Sequence, residues 1–257
     1  MNNNLDKNVK LVVNADDFGM NANTTNAIVE SFQRDWISST TIMTTMPGFE
    51  EACEIAHEKK LLNKIGIHFN LTEGKPLTGR IKNCPKFCDV NGKFFKSAKG
   101  LFLDSEEKVA IYEELEAQLN QLNKNGILPT HADSHHHVHH YWGVGMLFAD
   151  FCKKNNIPAL RLNFNFGKKF GWKRKSYSKL FNLILEARGL AKTKYFCEIR
   201  QVYDKLFNSG NPVEIMVHPV YDNHGIITNY VDGDNFESLV EKYINGFTFV
   251  SYKDLME

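Results

Sequence analysis

Residues 10–19, KLVVNADDFG, decide how the whole chain is read. A continuous β-branched and apolar run stops at two acids and a glycine, the pattern of a buried parallel strand that passes into a loop at its carboxyl end. The following stretch, NANTTNAIVESFQRD (21–35), opens with helix-start residues and then sets apolar side chains at helical spacing, so the unit reads strand, loop, helix. The same grammar recurs downstream. SSTTIMTTM (38–46) predicts a strand, FEEACEIAHEKK (49–60) a helix, KIGIHFNLT (64–72) a strand, and EEKVAIYEELEAQLNQLNKNG (106–126) a long amphipathic helix closed by Gly126.

LPTHADSHHHVHH (128–140) begins as a short strand and turns into a histidine-rich loop; GVGMLFADFCKKNN (143–156) then predicts a helix and ALRLN (159–163) a strand. KLFNLILEARGL (179–190) and EIRQVYDKLFNSG (198–210) predict helices, PVEIMVHP (212–219) a strand, and FTFVSYKDL (247–255) a last strand and its turn. Strand and helix alternate throughout, which implies an α/β fold with parallel strands, closed as a barrel or left open. No low-complexity linker interrupts residues 1–257, which are read as one domain.

Composition narrows the function classes. With 42% hydrophobic and 24% charged residues, the 257-residue chain has the balance of a soluble globular protein with a substantial core. A net charge of +1 provides no global field to draw in nucleic acid or anionic lipid. The start, MNNNLDKNVKLVV, is too short in apolar length for a signal peptide or a membrane span, so a cytoplasmic location is expected. Five scattered cysteines, Cys53, Cys84, Cys88, Cys152 and Cys197, fit reduced thiols; the CPKFC element at 84–88 lacks a second pair with which to close a structural zinc site.

Four polar clusters follow apolar runs, at the strand ends where parallel α/β folds collect reactive groups: Asp16-Asp17, His68, the 131–140 stretch and His218. His131, Asp133, His135, His137 and His139 occupy alternate positions, so an extended chain there would direct them to one ligand-dense face. Two imidazoles and a carboxylate leave positions open on a divalent metal, the mark of a catalytic rather than a closed structural site. Of the adjacent acids, one can ligate the metal while the other acts as a base on water. His218, ahead of Pro219, suits a general acid. Arg161 must be paired if buried, either as a bidentate clamp on a carboxylate such as Asp16 or Asp133 or as a plain structural ion pair. The basic and aromatic run NFNFGKKFGWKRKSYSK (163–179) reads as a loop covering the site, with Trp172 and Trp142 as candidate stacking residues for a sugar.

NADDFG, IHFNLTEGKPL, PTHADSHHHVH, ALR and EIMVHP, in this order over most of the chain, closely resemble the YdjC-like family of carbohydrate deacetylases, which includes the chitooligosaccharide deacetylases. The resemblance implies a single-domain distorted (β/α) barrel related to the polysaccharide deacetylases. It also implies one divalent metal ion, Mg2+ or Zn2+, a small carbohydrate substrate that loses an N-acetyl group, and a homodimer. By motif position, His68 and His135 would be the metal histidines, Asp17 the carboxylate ligand, Asp16 the general base, His218 the proton donor and Arg161 the orienting residue. One departure stands out: NHGIITNYVDGDNFESLVEKY, between His218 and the last strand, lacks the arginine-containing helix that the resemblance leads one to expect. Two other readings share these residues: a metal-dependent hydrolase of a phosphoester or cyclic amide, and a sugar-binding barrel without turnover. Neither a glycine-rich phosphate loop nor an arginine cluster supports the first, and an intact Asp16 argues against the second.

Overall fold

The computed structural model describes residues 9–96, 102–166, 171–202 and 210–257. Its centre is strand β1 (Lys10–Phe18), buried along its whole length after the first residue. Strands β2 (Ser39–Ile42), β3 (Ile65–Phe69) and β4 (Ala132–Ser134) lie in sequence on one side of β1; β6 (Val213–Val217) and then β5 (Tyr195–Glu198) lie on the other, all parallel. The curl continues past β4, where Ala132 N donates to Ala159 O at 2.9 Å and Arg161 N to Ala132 O at 3.0 Å. Between this stave and β5 a side chain takes the place of a backbone ladder. Asn165 donates through Nδ2 to Lys194 O and accepts from Phe196 N, both at 2.9 Å. The result is the expected α/β architecture, a distorted barrel of parallel strands.

Helices α1 (Ala22–Gln33), α2 (Phe49–Glu58), α4 (Ser105–Lys124), α5 (Trp142–Lys154) and α6 (Trp172–Ala187) flank the sheet, with a single turn, α3 (Gly79–Lys82), between β3 and α4. Two of these helices are capped by side chains. Asn21 caps α1 by accepting from Thr24 N at 3.0 Å, and Asp104 with Glu107 forms a reciprocal capping box on α4. Fully buried Phe18, Phe49, Phe69, Phe148, Phe151 and Phe181 fill the space between sheet and helices. Past β6, a short antiparallel hairpin of β7 (Pro219–Tyr221) and β8 (Ile227–Asn229) precedes α7 (Phe236–Tyr243) and β9 (Thr248–Phe249), which pairs with the start of β1. No helix among the described residues is long and apolar enough to cross a membrane.

Three sequence expectations are corrected, and a fourth falls mostly outside the described residues. ALRLN is not a full strand, since only Leu160 bridges to β4. Of EIRQVYDKLFNSG, Glu198 ends β5 and Ile199–Gln201 form a 3-10 turn, and the rest of the expected helix falls on residues 203–209, which lie outside the described residues. The 163–179 run is not one covering loop: α6 begins at Trp172, and residues 167–170 lie outside the described residues. Trp172 is 74% exposed on that helix, and Trp142, on α5, packs edge-on against Tyr177 of α6. The alternation of residues 131–139 ends at Ser134. His136 and His137 adopt left-handed backbone angles, φ 51° and 53°, and the chain coils into a 3-10 turn over His135–His140. The ladder of β4 stops there, so His137 and His139 leave the ligand face and pack among Phe164, Phe196 and Phe148.

Candidate metal and catalytic centre

The strand ends converge at the carboxyl edge of the sheet. Asp16 and Asp17 end β1, His68 sits in β3, and His135 follows β4 directly. Asp17 holds φ +72°, unusual for a residue with a Cβ, in a turn closed by Met20 N donating to Asp17 O at 3.0 Å. Its Oδ1 lies 3.2 Å from His68 Nε2 and 2.9 Å from His135 Nδ1. That oxygen is buried and has no hydrogen-bond partner among the described residues. An orphaned buried carboxylate oxygen facing two imidazole nitrogens is costly without a cation between them, and one carboxylate with two imidazoles suits Zn2+ or a similar divalent ion. The donor set therefore fits a metal, with Asp17, His68 and His135 as its holders.

Behind the ligands lies a second layer. Asp133 Oδ1 is 2.6 Å from His68 Nδ1, and Thr41 Oγ1 donates to Asp133 Oδ2 at 3.1 Å. A carboxylate on the far nitrogen fixes the tautomer and aims Nε2 at Asp17. Burial alone would lower the His68 pKa, but the charge of Asp133 and the hydrogen bonds of Asp133 and Asp17 overcome it and push it up to about 10.

Arg161 is fully buried among three carboxylates. Its Nη1 and Nη2 each donate to Asp16 at 2.7 Å, Nη1 also reaches Asp133 Oδ2 at 2.6 Å, and Nε donates to Glu214 Oε1 at 2.7 Å. Burial would raise the Asp16 pKa; the adjacent guanidinium outweighs this and holds the carboxyl well below the usual range. Glu214 receives the Tyr252 hydroxyl at 2.5 Å, and burial, against the pull of Arg161, pushes its carboxyl up to about 7. Asn14 Nδ2 donates to Asp16 Oδ1 at 2.9 Å, and Asn14 Oδ1 lies 3.1 Å from His131 Nε2. The His131 ring stacks on Tyr252 at 3.9 Å and lies against Gly66, where an added Cβ would come within 2.5 Å of it. That contact explains the glycine in IGIHF.

His218 Nε2 stands 3.9 Å from Asp16 Oδ2, with its backbone N–H held by Asn229 Oδ1 at 2.9 Å. Asp17, His135 and His218 open into a cavity of about 350 Å³ walled by Met20, Tyr230 and Glu73. Asp16, Asp17, His68, His135, Arg161 and His218 are thus brought together, whereas Trp142 and Trp172 are not among the cavity's lining residues. Missing from the sequence reading are Glu214, the orienting role of Asp133 on His68, and Asn14. A charged residue inside the apolar run VEIMV was the available signal for Glu214, because a buried acid demands a cation.

A parallel α/β barrel with a carboxylate and two histidines at the strand ends, backed by a second carboxylate clamped by arginine, has the make-up of a hydrolase centre. Residues 10–245 match the family model described as YdjC-like protein, and the chain belongs to that family. It is 32% identical to a carbohydrate deacetylase of Halalkalibacterium halodurans over 88% of this chain and 92% of that one. A chitooligosaccharide deacetylase of Yersinia pestis is also 32% identical, with 85% of each chain covered. A proposed cellobiose-phosphate cleavage protein from Enterococcus faecalis V583 shares the fold, with a TM-score of 0.69 over 96% of this chain and 98% of that one, at 24% identity.

Proposed function

We propose that this protein hydrolyses the N-acetyl group of an amino sugar or short chitooligosaccharide, releasing acetate and a free amine, with a divalent metal held by Asp17, His68 and His135. The observation that carries the proposal is the Asp17 carboxylate facing both histidines beside an Asp16 that is not spent on the metal but fixed by Arg161. Relatives named for carbohydrate and chitooligosaccharide deacetylation support the substrate class.

A divalent cation at this position would polarise the acetamide carbonyl and lower the pKa of a water molecule beside it. Asp16 accepts the proton of that water as its oxygen adds to the carbonyl carbon. Held ionised by Arg161, it is a weak base, so its contribution is geometric: the two-armed clamp leaves the carboxylate little freedom to turn away. His218, on the cavity side of Asp16, delivers a proton to the amine nitrogen as the C–N bond breaks. The amide and one water become acetate and amine, and no other reactant is required.

The test is acetate release from diacetylchitobiose and longer N-acetylglucosamine oligomers by metal-stripped and metal-restored protein. Release that requires metal and is lost in Asp16→Asn and His135→Ala supports the proposal. Fully metallated protein that releases no acetate from any oligomer overturns it.

A further inference from the structure

His135 presents one nitrogen to the centre described above and keeps the other. With Nδ1 turned to Asp17 at 2.9 Å, Nε2 is left buried and without a hydrogen-bond partner among the described residues, on a residue only 6% exposed. The adjacent ring, His136, lies 4.0 Å away centroid to centroid. Its Nδ1 is 3.0 Å from Thr72 Oγ1, so its Nε2 is the nitrogen that remains. Glu73 completes the group: the donor atoms of Glu73, His135 and His136 lie within 4.8 Å of one another, and all three residues line the cavity. Glu73 is not loosely hung, since its backbone N–H donates to Asn70 Oδ1 at 2.9 Å and its carbonyl accepts from Asn70 Nδ2 at 2.7 Å. The left-handed backbone at His136, φ 51°, is what folds its ring back beside that of His135.

We infer that Glu73, His136 and the free edge of His135 form a second divalent-cation site on the wall of the substrate cavity, next to the first. Two imidazoles and one carboxylate select a transition ion such as Zn2+ over Mg2+, which prefers an all-oxygen shell. A neutral imidazole offers one lone pair to a metal, so to serve both sites the His135 ring would release its remaining proton to solvent and bridge as an imidazolate; that proton loss makes the second ion bind more weakly than the first. An ion there occupies cavity space that substrate must enter, so excess Zn2+ acts as an inhibitor, whereas excess Mg2+ does not.

Equilibrium dialysis against Zn2+, with bound metal counted by mass spectrometry, tests this without recourse to activity. Wild type should take up two ions per chain. Glu73→Gln/His136→Gln should take up one, its second equivalent weakened by about 10- to 100-fold or more, and His68→Asn, which damages only the first site, should also retain one. His136 is exposed, so His136→Gln alone gives a folded control should the double variant lose its circular dichroism signal. With Mg2+, which both donor sets disfavour, no protein should show a second equivalent. A wild type that takes up one Zn2+ only, or a second equivalent unchanged by His136→Gln and the double variant, overturns the inference. Since the readout is stoichiometry, failure of the deacetylase proposal would leave this result standing.

Discussion

Arg161 grips Asp16 with both terminal nitrogens at 2.7 Å, and the same Nη1 reaches Asp133 at 2.6 Å. One side chain therefore joins the candidate base to the carboxylate that orients His68, a candidate metal ligand. The fork geometry is what lysine cannot supply. Arg161→Lys is expected to fold and to lose activity by roughly 100-fold in kcat with KM little changed, because the Asp16 carboxylate is no longer held in two directions. Arg161→Met leaves three buried acids without a cation and is expected to cost about 3–5 kcal/mol in stability. Steady-state kinetics with chemical denaturation checks both; a lysine variant with wild-type kcat would remove Arg161 from any positioning role.

Asp133 would act on a metal held by the proposed ligands only through His68, whose Nδ1 lies 2.6 Å from it. Asp133→Asn keeps the shape but loses the charge that favours the required tautomer, so metal affinity is expected to fall about 10- to 100-fold. Competition with a chromogenic chelator measures it. Unaltered affinity would mean that Thr41, 3.2 Å from the same nitrogen, suffices to set the ring.

The strand-end positions were legible because each obeys one rule: an apolar run that buries a strand, then a reactive side chain where pairing stops. Asp16, Asp17, His68 and His218 each follow such a run, and the sheet edge gathers them. Less legible was the 131–140 stretch. Period-two alternation holds only while the backbone stays extended, and two successive left-handed residues, His136 and His137, break it; nothing in a row of histidines announces that conformation. Glu214 and Asn14 were hidden for a different reason. Their partners Arg161, Tyr252 and His131 are distant in sequence, and only the closure of the sheet brings them together.

Buried neutral histidines make stability depend on pH. Burial, joined by the positive charge of Arg161 or of neighbouring histidines, holds His131, His137 and His139 well below their ordinary 6.5. Below pH 6.5 the unfolded chain takes up protons that the folded chain refuses, so the stability these groups contribute above that pH is lost as pH falls. Each accounts for about 1.4 kcal/mol per pH unit. Glu214, raised from 4.5 to about 7, works in the opposite sense between those values and offsets one of the three. Metal-free protein should therefore lose stability with a slope that approaches about 3 kcal/mol per unit between about pH 5.5 and pH 4.5. Denaturant titrations of wild type and His139→Phe at pH 6.5, 5.5 and 4.5 check this; below pH 5.5 the variant's slope should be shallower by about 1.4 kcal/mol per unit, and equal slopes would show that His139 is not held neutral.

Glu114 on α4 is fully buried without a cationic partner among the described residues and accepts from Leu77 N, Thr78 N, Thr78 Oγ1 and Gln118 Nε2 at 2.8–3.1 Å. Next to it, Gln118 exchanges two hydrogen bonds with the Asn70 backbone at 2.9 and 2.7 Å. Together they fasten the loop that carries Glu73 on the cavity wall. Glu114→Leu takes the acceptor from buried Gln118 Nε2 and from the partly buried Leu77 and Thr78 donors, so a loss of about 3 kcal/mol is expected. Glu114→Gln is the sharper probe. It keeps the shape and most acceptors but weakens charge-assisted bonds, so the loop should loosen with the barrel intact. The expected signature is a several-fold rise in KM for the sugar with little change in kcat, together with faster amide hydrogen exchange confined to residues 70–78. Unchanged exchange there would show that the loop is held by Asn70 and Gln118 alone.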